Sequence, residues 1–185
     1  MKLSKRNKTY GIVCCDAGAS NQLLYYLDKQ NLSKAYGYFE GPAVGIKTIA
    51  FPRLNALDNL LEVIQKSDVI ITGSGWSSGL EHRARQLARS EGKYSIAAVD
   101  HWVNYAERFE RSGTIVTPDE IWVFDMLAKK KASKTFPNVK VKLLRSEYEC
   151  MVMNEASKTP LEPRSLLYLC EPLGTNKSSG ELNEI

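Results

Sequence analysis

Short apolar runs alternate along this chain with longer stretches whose apolar residues recur every three or four positions, the pattern of strands followed by amphipathic helices. Tyr10 to Cys15 reads as a first strand, and Asn21 to Gln30 as a helix carrying Leu23, Leu24 and Leu27. Ala35 to Phe39 is a weaker strand closed by Gly41-Pro42. Leu54 to Ile64 reads as a helix with Leu54, Leu57, Leu60, Leu61 and Ile64 on one face. Strands at Val69–Ile71, Ser95–Val99, Ile121–Phe124 and Val139–Leu144 follow, with helices at Leu80–Arg89 and Met126–Thr135 between them. Asp125 stands where a helix N-cap belongs, and Trp102 to Phe109 reads as a short helix or ordered loop. The strands are continuous in Val and Ile rather than alternating, as strands covered on both faces are. The expected fold is therefore α/β: a Rossmann-like, doubly wound, mainly parallel sheet with helices on both faces.

After Cys150 the pattern weakens. Lys158-Thr-Pro-Leu-Glu-Pro163 reads as a linker, Ser165 to Cys170 as a new strand, and Gly174 to Gly180 as a polar, disordered tail. The expected organisation is a Rossmann-like domain over residues 1–157, a linker over 158–164, and in 165–185 either the start of a second domain or a disordered tail.

Composition narrows the function classes. Of 185 residues, 43% are hydrophobic and 25% charged, which excludes wholesale disorder. A net charge of +4 suits an anionic ligand or an acidic membrane surface but is no nucleic-acid signature. The cysteines Cys14, Cys15, Cys150 and Cys170 form no C-x-x-C pair, and with only His82 and His101 beside them a zinc site is not expected. Reduced core thiols, and no apolar run long enough for a signal peptide or membrane span, lead to the expectation of a cytoplasmic protein. The sequence gives no cofactor signature, and it leaves a homo-oligomer open.

Two clusters carry chemistry. Asp68-Val-Ile-Ile-Thr-Gly73-Ser74-Gly75-Trp76-Ser-Ser-Gly79 is a buried strand ending in a glycine-rich turn that opens a helix, a place that holds phosphates or sugars. The glycine spacing is not that of a dinucleotide fingerprint, and no Walker lysine follows. Trp76 is a stacking platform or a lid over the core. The second cluster is Asp100-His101-Trp102 with Arg108 behind it. There His101 could serve as general base with Asp100 orienting it, and Arg108 could clamp an anion. In the plainer reading His101 and Trp102 are packing residues and Arg108 pairs with Glu107 or Glu110. Gly18, in the first strand-to-helix turn, leaves room for a ligand to come close. Glu81 and His82 are expected at the surface. The lysines Lys129, Lys130, Lys131, Lys134, Lys140 and Lys142, with Arg145, read as a solvated face or as a contact for an acidic lipid surface or polyanionic acceptor. No D-x-D and no H-E-x-x-H occurs.

The runs Asp68 to Trp76, Asp100-His-Trp-Val-Asn-Tyr105 with Arg108-Phe109, and Pro118-Asp-Glu-Ile-Trp-Val-Phe-Asp125 together resemble the N-terminal domain of GT-B-type glycosyltransferase-like proteins of bacterial surface-polysaccharide pathways. That superfamily includes the UDP-N-acetylglucosamine 2-epimerases. The resemblance covers roughly residues 8 to 172. It implies a domain on the acceptor side of a nucleotide-sugar transfer, with Asp100 and His101 as catalytic residues. Gly18, Gly73, Ser74, Gly75, Trp76 and Arg108 would then touch the ligand. The implied partners are a nucleotide sugar and a carbohydrate acceptor, with peripheral membrane contact as an option. A non-catalytic sugar- or phosphate-binding or partner-docking module, and a nucleotide-sugar epimerase or hydrolase, remain alternatives.

Overall fold

The protein is described here from a computed structural model covering residues 8–32, 34–75 and 78–158. The expected linker beyond Lys158, the strand at Ser165 to Cys170, the polar tail and Trp76 lie outside the described residues.

Seven strands form one parallel sheet: β1 (Thr9–Cys14), β2 (Lys34–Phe39), β3 (Asn55–Ala56), β4 (Val69–Thr72), β5 (Tyr94–Val99), β8 (Glu120–Val123) and β9 (Lys140–Leu143). β6 (Glu110–Arg111) and β7 (Thr114–Ile115) form a separate antiparallel hairpin. Its two central residues, Ser112 and Gly113, both have positive φ, 49° and 75°, which matches the right-handed twist of a tight two-residue turn. The sheet order is β3-β2-β1-β4-β5-β8-β9. The chain thus winds outward from β1 to β3, returns, and starts again at β4 on the other side of β1. That reversal leaves a crevice at the carboxyl ends of β1 and β4, where doubly wound sheets receive ligands.

Helices cover both faces. α1 (Ala17–Asp28), α2 (Ala43–Ala50) and Trp122 share one core with Ile12, Cys14, Ile71 and Ile96, and α6 (Glu147–Ala156) lies along α1. α3 (Leu60–Lys66) and α4 (Leu80–Ser90) cover Val13 and Ile70 on the other face. On that face α5 (Met126–Thr135) covers Ala97, Val99, Ile121 and Val123 through Ala128 and Ala132. The Asp125 carboxylate accepts the Ala128 amide at 2.8 Å, as its N-cap position requires.

Three expectations need correction. The helix expected over Leu54–Ile64 begins only after Asn59, whose side chain accepts the amides of Leu61 and Glu62; Asn55 and Ala56 instead extend the sheet beside β2. The helix α2 lies in a stretch where none was expected. The lysines are not all solvated: Lys142 lies 5.1 Å over the Trp122 ring and 4.0 Å from Glu120, and Lys140 pairs with the same carboxylate at 2.7 Å. Trp122 itself is fully buried and donates to Glu120 at 2.6 Å. The cysteines among the described residues are free, Cys14 and Cys15 both buried, and burial pushes the Cys14 thiol well up.

Candidate functional site

The crevice is built from three turns, and each presents a carboxylate. After β1 the chain reaches Asp16 in extended conformation, and its Oδ1 caps α1 by accepting the Ala19 amide at 3.0 Å. The other oxygen, Oδ2, is enclosed and has no hydrogen-bond partner. After β4 comes Gly73-Ser74-Gly75, and six residues beyond Gly75 stands Glu81, only 1% exposed. Its Oε1 accepts the Cys15 amide at 3.1 Å and its Oε2 the Gly75 amide at 2.6 Å, so one side chain ties the first turn to the second. After β5 comes Asp100, turned inward against α1.

The glycines of these turns make room for the carboxylates. A Cβ on Gly18 would lie 1.8 Å from Asp100 Oδ2. On Gly75 it would lie 2.1 Å from Asp16 Oδ2, and on Gly73 2.5 Å from Glu81 Oε1. Small residues at a strand end do allow close approach, but what approaches here is the protein's own acid groups.

Behind the loop stand three arginines, one for each successive carbonyl. Arg85 donates to the Gly73 carbonyl at 3.0 Å, Arg108 to that of Ser74 at 3.2 Å, and Arg111 to that of Gly75 at 3.1 Å. Arg85 is buried and also donates to Thr72 Oγ1 at 3.0 Å and to the carbonyls of Val116 and Arg108. Its guanidinium rests 5.0 Å over the Phe109 ring. Burial lowers its pKa to about 10, still well above neutrality. Arg108 is buried too; it donates to the Val103 carbonyl and lies 3.9 Å from Asp100 Oδ1.

Desolvation sets the protonation of the acids. Burial, then the negative charge of Asp16, raise Glu81 from 4.5 to about 7, although two amides and Arg85 pull the other way. Burial and Asp16 also raise Asp100, against the opposing pull of its own backbone amide and Arg108. His82 is enclosed with both ring nitrogens unpartnered, and burial followed by Arg85 and Arg111 lowers its pKa.

The structure thus brings together Gly18, Gly73, Ser74, Gly75, Asp100 and Arg108. His101 stays exposed at the rim, its Nδ1 accepting the Trp102 amide at 3.0 Å. Arg108 pairs with Asp100, not with Glu107 or Glu110. Glu81 and His82, expected at the surface, are interior residues. Asp16, Glu81, Arg85 and Arg111 are site residues that the sequence reading missed. A serine hydrolase was not expected from the sequence, yet Gly75-Trp-Ser-Ser-Gly79 does have the G-x-S-x-G spacing of a hydrolase elbow; Ser77 lies outside the described residues. Among the described residues no group of three His, Cys, Asp or Glu could hold a metal ion.

Chemically the crevice is rich in acceptors. The Gly75 amide is taken by Glu81 and the Gly73 amide by the Val13 carbonyl at 3.4 Å. A hydroxyl or amine that donates toward Asp16 and Asp100 meets complementary charge, whereas a phosphate there would face two carboxylates.

No family model matches the sequence, and comparison with curated proteins found no match. Among solved structures, the chain is similar to a UDP-glucose dehydrogenase from the hyperthermophilic archaeon Pyrobaculum islandicum. The similarity covers 84% of this chain and 50% of that one, at 13% identity and a TM-score of 0.31. The chain thus spans about half the length of that protein. No helix among the described residues is long and apolar enough to cross a membrane.

Proposed function

We propose that the crevice binds a polyhydroxylated sugar and that the chain supplies the acceptor side of a nucleotide-sugar transfer. The observation that carries this reading is the convergence of Asp16, Glu81 and Asp100 on the carboxyl ends of β1, β4 and β5, with one oxygen of Asp16 lacking a partner. Acceptor hydroxyls donate to Asp100 and Asp16, and Gly18, Gly73, Ser74 and Gly75 line their approach. Asp100 is the general base: its raised pKa brings it toward the range where a carboxylate removes a hydroxyl proton effectively. His101, at the rim, relays that proton to solvent. Arg108 holds Asp100 and Ser74 in place, and Trp76 supplies a stacking surface for the sugar. The finer assignment, a glycosyltransferase-like protein of bacterial surface-polysaccharide synthesis, rests on the sequence resemblance alone.

A binding module without turnover is favoured by one specific observation. Each of the three carboxylates already has a structural partner: Ala19 for Asp16, two amides for Glu81 and Arg108 for Asp100. Calorimetric titration of the full chain with free sugars and with UDP-sugars separates the readings. Sugar binding should weaken about tenfold or more in Asp100→Asn, the loss of one charged hydrogen bond. Turnover should fall further than binding does. No turnover by the wild-type chain, with sugar binding weakened in that variant, supports the module. Binding of UDP alone, indifferent to Asp100→Asn, would overturn both.

A further inference from the structure

We infer that the edge formed by Trp102, Val103, Met126 and Leu127, with the lysines of α5, docks the protein on an anionic lipid bilayer. These four apolar side chains are exposed, Trp102 at 52% and Met126 at 66%, while Ala128 and Ala132 carry the packing of α5 onto the sheet. They form one edge because the loop after β5 is fastened to α5. Trp102 Nε1 donates to Asp125 at 2.8 Å, Lys131 Nζ donates to the Trp102 carbonyl at 2.8 Å, and the Tyr105 hydroxyl reaches the Ala128 carbonyl at 3.4 Å. The indole is therefore held in one pose, and little freedom is lost when it meets a surface.

Charge identifies the occupant. Met126–Thr135 holds Lys129, Lys130, Lys131 and Lys134 and no acidic residue. Lys130 and Lys134 follow Met126 at steps of four on the solvent side of the helix, so apolar tips and cations share one exposed stripe. A second copy presenting the same stripe would repel it, as a two-fold contact sets like charges together. A soluble polyanion would use the lysines and leave Trp102, Met126 and Leu127 in water. An acidic bilayer uses both: headgroups meet the lysines, and Trp102 with Met126 and Leu127 enters the interface. Because the edge follows directly on Asp100 and the end of β8, docking turns the carboxylate crevice toward the lipid surface. Docking at this edge does not depend on what the crevice binds.

The test is co-sedimentation of the full chain with phosphatidylcholine vesicles, with and without phosphatidylglycerol. Binding should require phosphatidylglycerol and should fall with salt. Met126→Ser combined with Leu127→Ser should weaken it about tenfold by withdrawing two apolar side chains from the interface. Lys130→Glu with Lys134→Glu should weaken it by tenfold or more. All four residues are exposed, and unchanged urea midpoints would verify that the variants fold. No binding to either vesicle, or binding that survives both double variants, overturns the inference. So does equal loss of heparin and vesicle binding in the lysine variant with no effect of the apolar one, and so does a dimer in sedimentation equilibrium that the apolar variant dissolves.

Discussion

Glu81 makes stability depend on pH in a direction opposite to that of an ordinary paired carboxylate. Its folded-state pKa is about 7 against 4.5 for the unfolded chain. Between those values the native state binds the extra proton, so stability is greatest below pH 4.5 and is lost as pH rises through about 7. A displacement of that size corresponds to about 3 kcal/mol, a large part of a domain's net stability. Other groups titrate in the same window. Asp100, also raised, acts in the same direction, while His82, lowered, adds stability as pH climbs toward 6.5. The Glu81→Gln variant cancels these contributions, because they appear in both proteins. Glutamine keeps one acceptor oxygen, but its amide group opposes a backbone N–H of Cys15 or Gly75, a pH-independent loss of about 1–3 kcal/mol. Urea unfolding of both proteins between about pH 4 and about pH 8 should show the wild type's advantage shrinking by about 3 kcal/mol. A difference that stays constant, or grows with pH, would refute the reasoning that desolvation and Asp16 outweigh the two amides and Arg85.

The remaining expectations follow from the same geometry. Gly18→Ala sets a methyl group against Asp100 and should lower stability by about 1–3 kcal/mol in urea unfolding. A double-mutant cycle with Asp100→Ala should recover most of that loss, and additivity would mean that the clash lies elsewhere. Arg85→Met leaves the Val116 carbonyl and Thr72 Oγ1 without their donor, and the Gly73 carbonyl with the Thr72 hydroxyl as its remaining side-chain donor, and should destabilise by about 3–5 kcal/mol. Asp125→Ala removes the α5 cap and the Trp102 anchor together. It should lower stability by about 1 kcal/mol and make Trp102 more accessible to an iodide quencher.

The architecture was legible because its strands are apolar on both faces and its helices amphipathic on one. Where that contrast fades, so did the reading. α2 carries Val44, Gly45, Thr48 and Ile49, poor helix formers, and buries fully only Ala43 and Ala50. α6 buries none of its residues fully, so its periodicity is faint, although Ser146 accepting the Glu149 amide at 3.0 Å follows the S-x-x-E start signal. Over Leu54–Ile64 the leucine spacing is helical, yet Leu54 is buried ahead of an edge strand and only Leu60, Val63 and Ile64 belong to the buried helix face.

The site was legible in place but not in charge. A parallel sheet that reverses direction after β3 puts its crevice at the ends of β1 and β4, and Gly18, Gly73, Gly75 and Asp100 do gather there. What the glycines accommodate is decided by residues far along the chain. Asp100 lies 82 residues from Gly18 and fills the space above it, while Asp16 lies 59 residues before Gly75. Glu81 and Arg85, four apart on a helix, have the spacing of a solvent-exposed ion pair. They are buried because the amides of Cys15 and Gly75 and the carbonyls of Gly73 and Val116 replace the water they give up. Glycines after a strand therefore predict close approach and not the sign of what approaches; in this chain the acids arrive from neighbouring strand ends, and they turn a turn suited to phosphate into one suited to hydroxyl donors.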